Sequence, residues 1–173
     1  MPQQQQYNDS RSNVIPFQVP DIAKIAYERS QVERGEKRER TQKTQQDYEQ
    51  NAEMFATIPP DYKGRDAIQL TVDETLDAAN NWEQSGSDED YRIYIEKKAK
   101  AEQAIKVVTG ILPAYNAQYA DYYKNPSGYS TTKEEAEQSR SSFYGQEVTI
   151  DDILSEDYVK TAIDMSPKKT MPV

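Results

Sequence analysis

The stretch that decides the fold is YIEKKAKAEQAIKVVTGILPAYNAQYADYY, residues 94–123. Its hydrophobic side chains recur in alternating steps of four and three residues, which is the spacing of one face of an α-helix. The pattern predicts a long helix over about residues 88–124, beginning after a capping serine at Ser87. The positions on this face are Tyr94, Lys98, Ala101, Ile105, Val108, Leu112, Tyr115, Tyr119 and Tyr122.

Two interpretations of this face are open. An apolar helical stripe commonly packs against other helices of its own chain. Its C-terminal end, however, consists of Tyr115, Tyr119 and Tyr122. Tyrosine combines a large ring with a hydroxyl group and is enriched at protein interfaces. We therefore predict that these three residues form an inter-subunit surface, with an ordinary helical core as the alternative.

A second long helix is predicted over residues 21–57, between Pro20 and the pair Pro59 and Pro60. From residue 33 to residue 47 it carries no large hydrophobic side chain, and acidic residues stand four positions before basic ones. Such pairs stabilise an exposed helix by roughly 0.2–0.5 kcal/mol each. A helix that is polar all round is held by its own charges or by contacts at its ends. This pattern is typical of an elongated component of a larger assembly.

Shorter helices are predicted from capping motifs. Thr71 and Glu74 suggest a helix start after a linker over residues 59–70, and Thr132 and Glu135 suggest another that runs to about residue 143. A last helix is predicted to follow Thr149. Its inward face is predicted as Ile150, Ile153, Leu154, Tyr158 and Ile163.

Both ends are predicted as extended arms, residues 1–20 and 165–173, flanking a single elongated helical domain over residues 21–164. Prolines keep the first arm out of helical structure. The arm also carries more hydrophobic residues than is usual for a tail that is exposed to solvent. We expect both arms to dock as extended peptides on neighbouring protein surfaces, with packing of the first arm on the chain's own helices as the alternative. The predicted docking residues are Val14, Ile15, Phe17, Val19, Met171 and Val173.

Composition limits the chemistry that the chain can perform. It contains neither Cys nor His, which excludes thiol nucleophiles, imidazole bases and the usual zinc, copper and haem ligands. The densest acidic cluster, at residues 87–90, lacks the looped oxygen pattern of a calcium site, and the chain has no glycine-rich phosphate loop. We therefore predict a non-enzymatic protein with no catalytic, cofactor-binding or metal-binding residues.

The sequence also lacks a hydrophobic run of the roughly 18 residues that a membrane span requires. It shows no apolar core of a signal peptide at the N-terminus. We therefore expect a protein without a membrane span, made in a cytoplasm.

Charge is unevenly distributed along a chain of net charge -9. Residues 34–43 carry a net charge of +3, whereas residues 133–164 carry -6. These opposite charges can make neighbouring copies of the chain complementary. A charge run is also typical of a solvated helix face. A basic strip can instead contact nucleic acid, although a pI of about 4.7 makes this the lesser alternative. The candidate nucleic-acid contacts are Arg34, Lys37, Arg38 and Arg40.

Few residues are available to form a hydrophobic core, because Leu, Ile, Val and Phe together account for only 28 of the 173 residues. Thirteen tyrosines add large rings. The missing Cys and His, the Gln- and Tyr-rich polar helices and the hydrophobic ends together resemble small virion structural proteins of tailed bacteriophages. Such proteins include components of the head-to-tail ring, the tail barrel and the internal cargo.

This resemblance implies a structural protein of the virion, made in the host cytoplasm, that contacts other subunits of a large assembly, including copies of itself. Three alternatives stay open: a capsid scaffolding protein, a helical adaptor or regulator that binds a single protein partner, and a nucleic-acid-binding module.

Overall fold

A computed structural model describes residues 19–171, with side chains from Ile22 onward. The described chain is all-α, as predicted. Contacts within the chain divide it into two compact units, Met1–Gln42 and Lys43–Val173. The helices are α1 (Val19–Ala56), α2 (Gly64–Ser85), α3 (Asp88–Lys124), α4 (Lys133–Gly145), α5 (Ile150–Leu154) and α6 (Asp157–Asp164), with one 3-10 turn at Pro126–Gly128.

Both long helices predicted from the sequence are present. Helix α3 has the predicted bounds, and α1 begins at Val19, two residues before the predicted start. Proline is accepted in the first turn of a helix because its missing N–H would have no partner there, so Pro20 does not delay the start. Val19 was predicted in the extended arm and instead belongs to α1. The other predicted residues of that arm, Val14, Ile15 and Phe17, lie outside the described residues.

Helices α2 and α3 follow one another with only two residues between them. Gly86 ends α2 with a φ of 64°, a left-handed conformation that glycine adopts without a steric penalty. Ser87 then caps α3, because its side chain accepts a hydrogen bond from the backbone N–H of Asp90. The predicted cap is thereby confirmed.

The predicted face of α3 is the buried face of the second unit. Every hydrophobic position along it is buried, from Tyr94 near its N-terminal end to Tyr122 near its C-terminal end. Lys98, the one charged member, keeps 19% of its side chain exposed. The spacing of hydrophobic residues therefore identified the central helix and its orientation correctly.

Tyrosine supplies much of the core of the second unit. The ring of Tyr115 lies 4.6 Å from that of Phe143 and 5.0 Å from that of Tyr119, and the Tyr62 and Tyr144 rings are 5.7 Å apart. These centroid distances fall in the range of favourable aromatic pairs. A chain with few aliphatic residues thus buries a sizeable core within its own second unit.

The predicted linker over residues 59–70 is wrong in its second half. Helix α2 already begins at Gly64, because Tyr62 and Ile68 are drawn into the core and fix the chain around the helix start. Thr71, predicted as a cap, is buried inside α2, where its hydroxyl donates to the carbonyl oxygen of Ala67 at 3.0 Å. Burial of neighbouring residues therefore prevailed over the local capping motif.

The C-terminal helices agree with the capping motifs but not with a single last helix. Thr132 and Thr149 both form capping boxes, with Glu135 and Asp152. The helix is interrupted between α5 and α6. The turn there rotates α6 about its axis, so that different side chains face the core. In α6 the buried positions are Tyr158 and Ala162. Ile163, predicted to face inward, is 60% exposed.

Candidate interaction surfaces

Helix α1 exposes hydrophobic side chains near its beginning. Ile22 and Ile25 are each 49% exposed, and Val32 is 59% exposed. Separations of three and seven residues place all three on one face of the helix, and we call this set the α1 stripe. No side chain from Ile22 to Gln42 is buried. The described part of the first unit is therefore a helix whose apolar face is available to another molecule.

The three tyrosines predicted at an inter-subunit surface lie in the core instead. Tyr115, Tyr119 and Tyr122 are each at most 3% exposed. The Tyr119 hydroxyl lies 2.8 Å from the carbonyl oxygen of Met165 and 3.1 Å from that of Ala136. Burial raises the pKa of Tyr115 and of Tyr119 above the usual tyrosine value.

The prediction of a tyrosine interface is therefore wrong for these residues. The segments after α3 cover this end of the helix, and their backbone carbonyls satisfy the hydroxyl groups. The Tyr122 hydroxyl, for example, donates to the carbonyl oxygen of Thr131 at 3.2 Å. A tyrosine with a buried ring and an internally bonded hydroxyl has the chemistry of a core residue.

The C-terminal segment is extended, as predicted, but its described part is held by its own chain. Lys169 pairs with Tyr129 in an isolated antiparallel bridge. The Ser130 N–H donates to the Lys168 carbonyl at 2.9 Å, and the Thr170 N–H donates to the Gly128 carbonyl at 3.0 Å. Met171 beyond this bridge is 81% exposed, and Val173 lies outside the described residues.

The four basic residues predicted as nucleic-acid contacts all lie on α1 in the first unit. Arg34 and Arg38 are exposed and four residues apart, which places them on the same side of the helix. Arg40 follows Arg38 by two residues, which turns it to roughly the opposite side. Lys37 is exposed and Arg40 is half-buried. Arg34, Lys37 and Arg38 therefore share one side of the helix, and Arg40 lies away from Arg38 but within one turn of Lys37.

A polar cluster lies where α1, α2 and α3 meet in the second unit. The Tyr94 hydroxyl donates to Asp47 at 2.6 Å, and the Lys98 ammonium lies 3.7 Å from the same carboxylate. Thr44 of α1 donates to Glu83 of α2 at 2.8 Å. Burial and, secondarily, the hydrogen bond to Asp47 raise the pKa of Tyr94. The cluster joins the three helices through charged and hydrogen-bonded groups.

A carboxylate, a lysine and a tyrosine are also groups that acid–base catalysts use. The cavity beside them has a volume of about 20 Å³, which is enough for one water molecule. Its walls include Thr44, Asp47, Tyr48 and Val72. A site of this size offers no room for an organic substrate, so we interpret the cluster as a structural element.

Replacing Asp47 with alanine is expected to lower the free energy of unfolding by about 2–3 kcal/mol, because the Tyr94 hydroxyl loses its acceptor and the Lys98 ammonium loses one of its carboxylate partners. Urea unfolding followed by the fluorescence of Trp82 measures the effect, since the Trp82 and Tyr94 rings stack at 5.6 Å. The control is Glu53→Ala, an exposed position on the same helix. Equal effects of the two variants would contradict a structural role for the cluster.

Among residues 19–171, no group of three or more carboxylates is placed to hold a metal ion. No helix in the described part of the chain is long and apolar enough to cross a membrane.

No protein-family model, curated protein or solved structure matches this chain.

Proposed function

We propose that this chain is a non-enzymatic structural protein of a large multi-subunit assembly. The observation that carries the proposal is the first unit. Its described part is a helix without a buried side chain, and it exposes Ile22, Ile25 and Val32 on one face. Exposed apolar surface on a helix is favourable chiefly when a partner covers it. An amphipathic helix of this kind binds in an apolar groove or against other helices.

The second unit supports this reading because its core is complete without a partner. Tyrosine hydroxyls in that core are satisfied by backbone carbonyls, as at Tyr119 and Tyr122. A self-sufficient unit can act as a stable module, while α1 supplies the contact with neighbouring subunits. Stability and association thus reside in different parts of the chain.

Within the structural class, we propose a virion component of a tailed bacteriophage, located in the head-to-tail ring, the tail or the interior. The support is the composition, which lacks Cys and His and is rich in Gln and Tyr, together with the long helices α1 and α3. Partners are then other virion subunits, including copies of this chain.

A helical adaptor that binds a single partner is the second candidate, and the α1 stripe favours it too, because one amphipathic helix is sufficient for helix-in-groove binding. Stoichiometry separates the two. A structural subunit joins a particle in many copies, whereas an adaptor forms a complex with one partner molecule. A scaffolding protein differs from both in being absent from the mature particle.

The test combines hydrogen exchange with a variant of the α1 stripe. In the isolated protein, amides of residues 19–42 are expected to exchange much faster than those of α3, because the described helix has no buried side chain there. In the assembled particle the same amides should be protected. The triple variant Ile22→Ser, Ile25→Ser, Val32→Ser should keep the thermal unfolding midpoint of the second unit but fail to enter the particle.

The matched control is Leu70→Ser, which changes an aliphatic residue of α2 that is 60% exposed. This variant should be incorporated normally. Normal incorporation of the triple variant, or protection of residues 19–42 in the isolated monomer, would refute the proposed role of α1.

A further inference from the structure

A second apolar surface lies in the second unit, between α3 and α6. It is an open groove of about 250 Å³. Val159 and Ile163 project from α6 beside it, with exposed fractions of 48% and 60%. We call it the α3–α6 groove. Its lining residues are Gly110, Ile111, Ala114, Tyr115, Gln118, Val159, Ala162, Ile163 and Ser166.

Gly110 forms part of this groove and stands inside a helix of 37 residues. Glycine is among the least favourable residues in a helix interior. Nothing within the described chain requires it, since a Cβ at this position would meet no atom within 4 Å. The backbone of α3 is therefore open to close approach by a side chain from outside the folded unit.

The charges beside the groove indicate which kind of partner binds there. Lys160 and Asp164 lie on the outer side of α6 and form an exposed ion pair at 3.0 Å. They flank Val159 and Ile163 on the same helix. If two α6 helices pack antiparallel about a two-fold axis at the level of residue 162, Lys160 of each copy faces Asp164 of the other. The apolar residues then meet between them.

The same symmetry matches the shape of the surface. A two-fold contact requires that one patch contain both the projecting and the receiving groups. Here Val159 and Ile163 project from α6, and the open space above Gly110 lies beside them. We propose that the α3–α6 groove is an isologous contact that pairs two copies of this chain, in which Val159 and Ile163 of each copy enter the groove of the other.

The contact is small, because α6 has only eight residues. Interfaces below about 1,000 Å² are weak or transient, so the dimer should be reversible and dependent on concentration. This inference rests on the proposed function, because it identifies a second copy of the chain as one partner within the proposed assembly. Its test is self-association in solution, so a negative result leaves incorporation through the α1 stripe to be judged separately.

Sedimentation equilibrium of the full chain over a range of concentrations tests the proposal. Wild type should dimerise, and Ile163→Asp should weaken dimerisation by at least about tenfold without unfolding the protein, since the side chain is exposed. Leu70→Asp is the control for an exposed aliphatic residue elsewhere, and it should dimerise as wild type does.

Gly110→Gln provides a second, independent test. A better helix former should raise the thermal unfolding midpoint of the monomer, while its side chain fills the space that the partner needs, so dimerisation should weaken by at least about tenfold. Gly35→Ala is the matched control, because Gly35 also lies inside a helix with open space around it. It should not alter dimerisation.

Charge exchange tests the two-fold geometry itself. Lys160→Glu and Asp164→Lys should each weaken the dimer, because like charges then face one another, and the double variant should restore it. A wild type that stays monomeric at every concentration would overturn the proposal. So would a dimer that survives Ile163→Asp but is lost in the Ile22, Ile25 and Val32 triple serine variant, which would place self-association on the α1 stripe.

Discussion

Replacing Tyr119 with alanine is expected to lower the free energy of unfolding by about 3–5 kcal/mol, the cost of removing a large buried aromatic side chain. Tyr119 is 2% exposed. Its ring contacts that of Tyr115, and its hydroxyl lies within hydrogen-bond distance of the carbonyls of Ala136 and Met165. Urea unfolding monitored by circular dichroism measures the change. A loss of this size approaches the whole stability of a typical domain.

Two further variants separate the contributions of this side chain. Tyr119→Phe keeps the ring and should cost about 1–2 kcal/mol, because buried carbonyls lose a donor. Tyr123→Ala removes a tyrosine of α3 that is 50% exposed, and it should change stability by no more than about 0.5 kcal/mol. If Tyr119→Ala left the monomer stable and abolished only association, the core assignment would be wrong and the tyrosine interface would be restored.

A steep loss of stability above pH 10 is the second large effect that we expect. Burial raises the pKa of Tyr62, Tyr94 and Tyr115 well above the ordinary value of 10.0. Below pH 10 the folded and unfolded chains both keep these phenolic protons, so stability does not depend on them. Above pH 10 the unfolded chain releases them while the folded chain retains them, which favours unfolding.

Each retained proton costs about 1.4 kcal/mol per pH unit in this range. The three raised tyrosine pKa values act in the same direction, so the free energy of unfolding of the second unit should fall steeply as the pH rises above 10. Free energies of unfolding measured between pH 8 and pH 12, together with tyrosinate absorbance, test this. Absorbance of the buried tyrosines should appear only as the helical signal is lost.

Phenylalanine variants assign the effect to individual residues. Tyr115→Phe should make the loss of stability above pH 10 less steep, because one buried phenol with a raised pKa is removed. Ionisation of all tyrosines near pH 10 in a protein that stays folded would show that the aromatic core is accessible to water.

The interaction surfaces that we propose are the α1 stripe and the α3–α6 groove, and they differ from the tyrosine surface predicted from the sequence. Tyrosine content suggested an interface on α3, but Tyr115, Tyr119 and Tyr122 are buried, whereas the α1 stripe and the pair Val159 and Ile163 are exposed. In the sequence the α1 stripe is already visible as hydrophobic residues followed by a long polar stretch. Val159 and Ile163 carry no such signal, because their exposure depends on the break between α5 and α6.

Periodicity predicted the central helix and its hydrophobic face, and local capping residues predicted the caps at Ser87, Thr132 and Thr149. These features depend on residues three or four positions apart, and the chain brings such residues together in any helix. Thr71 shows the limit of local reasoning. Its capping motif is intact, yet the burial of Tyr62 and Ile68 extends α2 through it.

The sequence by itself determined that this chain is all-α, that its chemistry excludes Cys and His, and that one face of α3 is hydrophobic. Only the tertiary structure decided what covers that face. Tyr119 reaches a carbonyl 46 residues away in the chain, and no local pattern encodes a contact of that separation. A tyrosine stripe has the same sequence pattern whether its own chain or a partner buries it. Either one can cover the rings and provide hydrogen-bond acceptors for the hydroxyl groups.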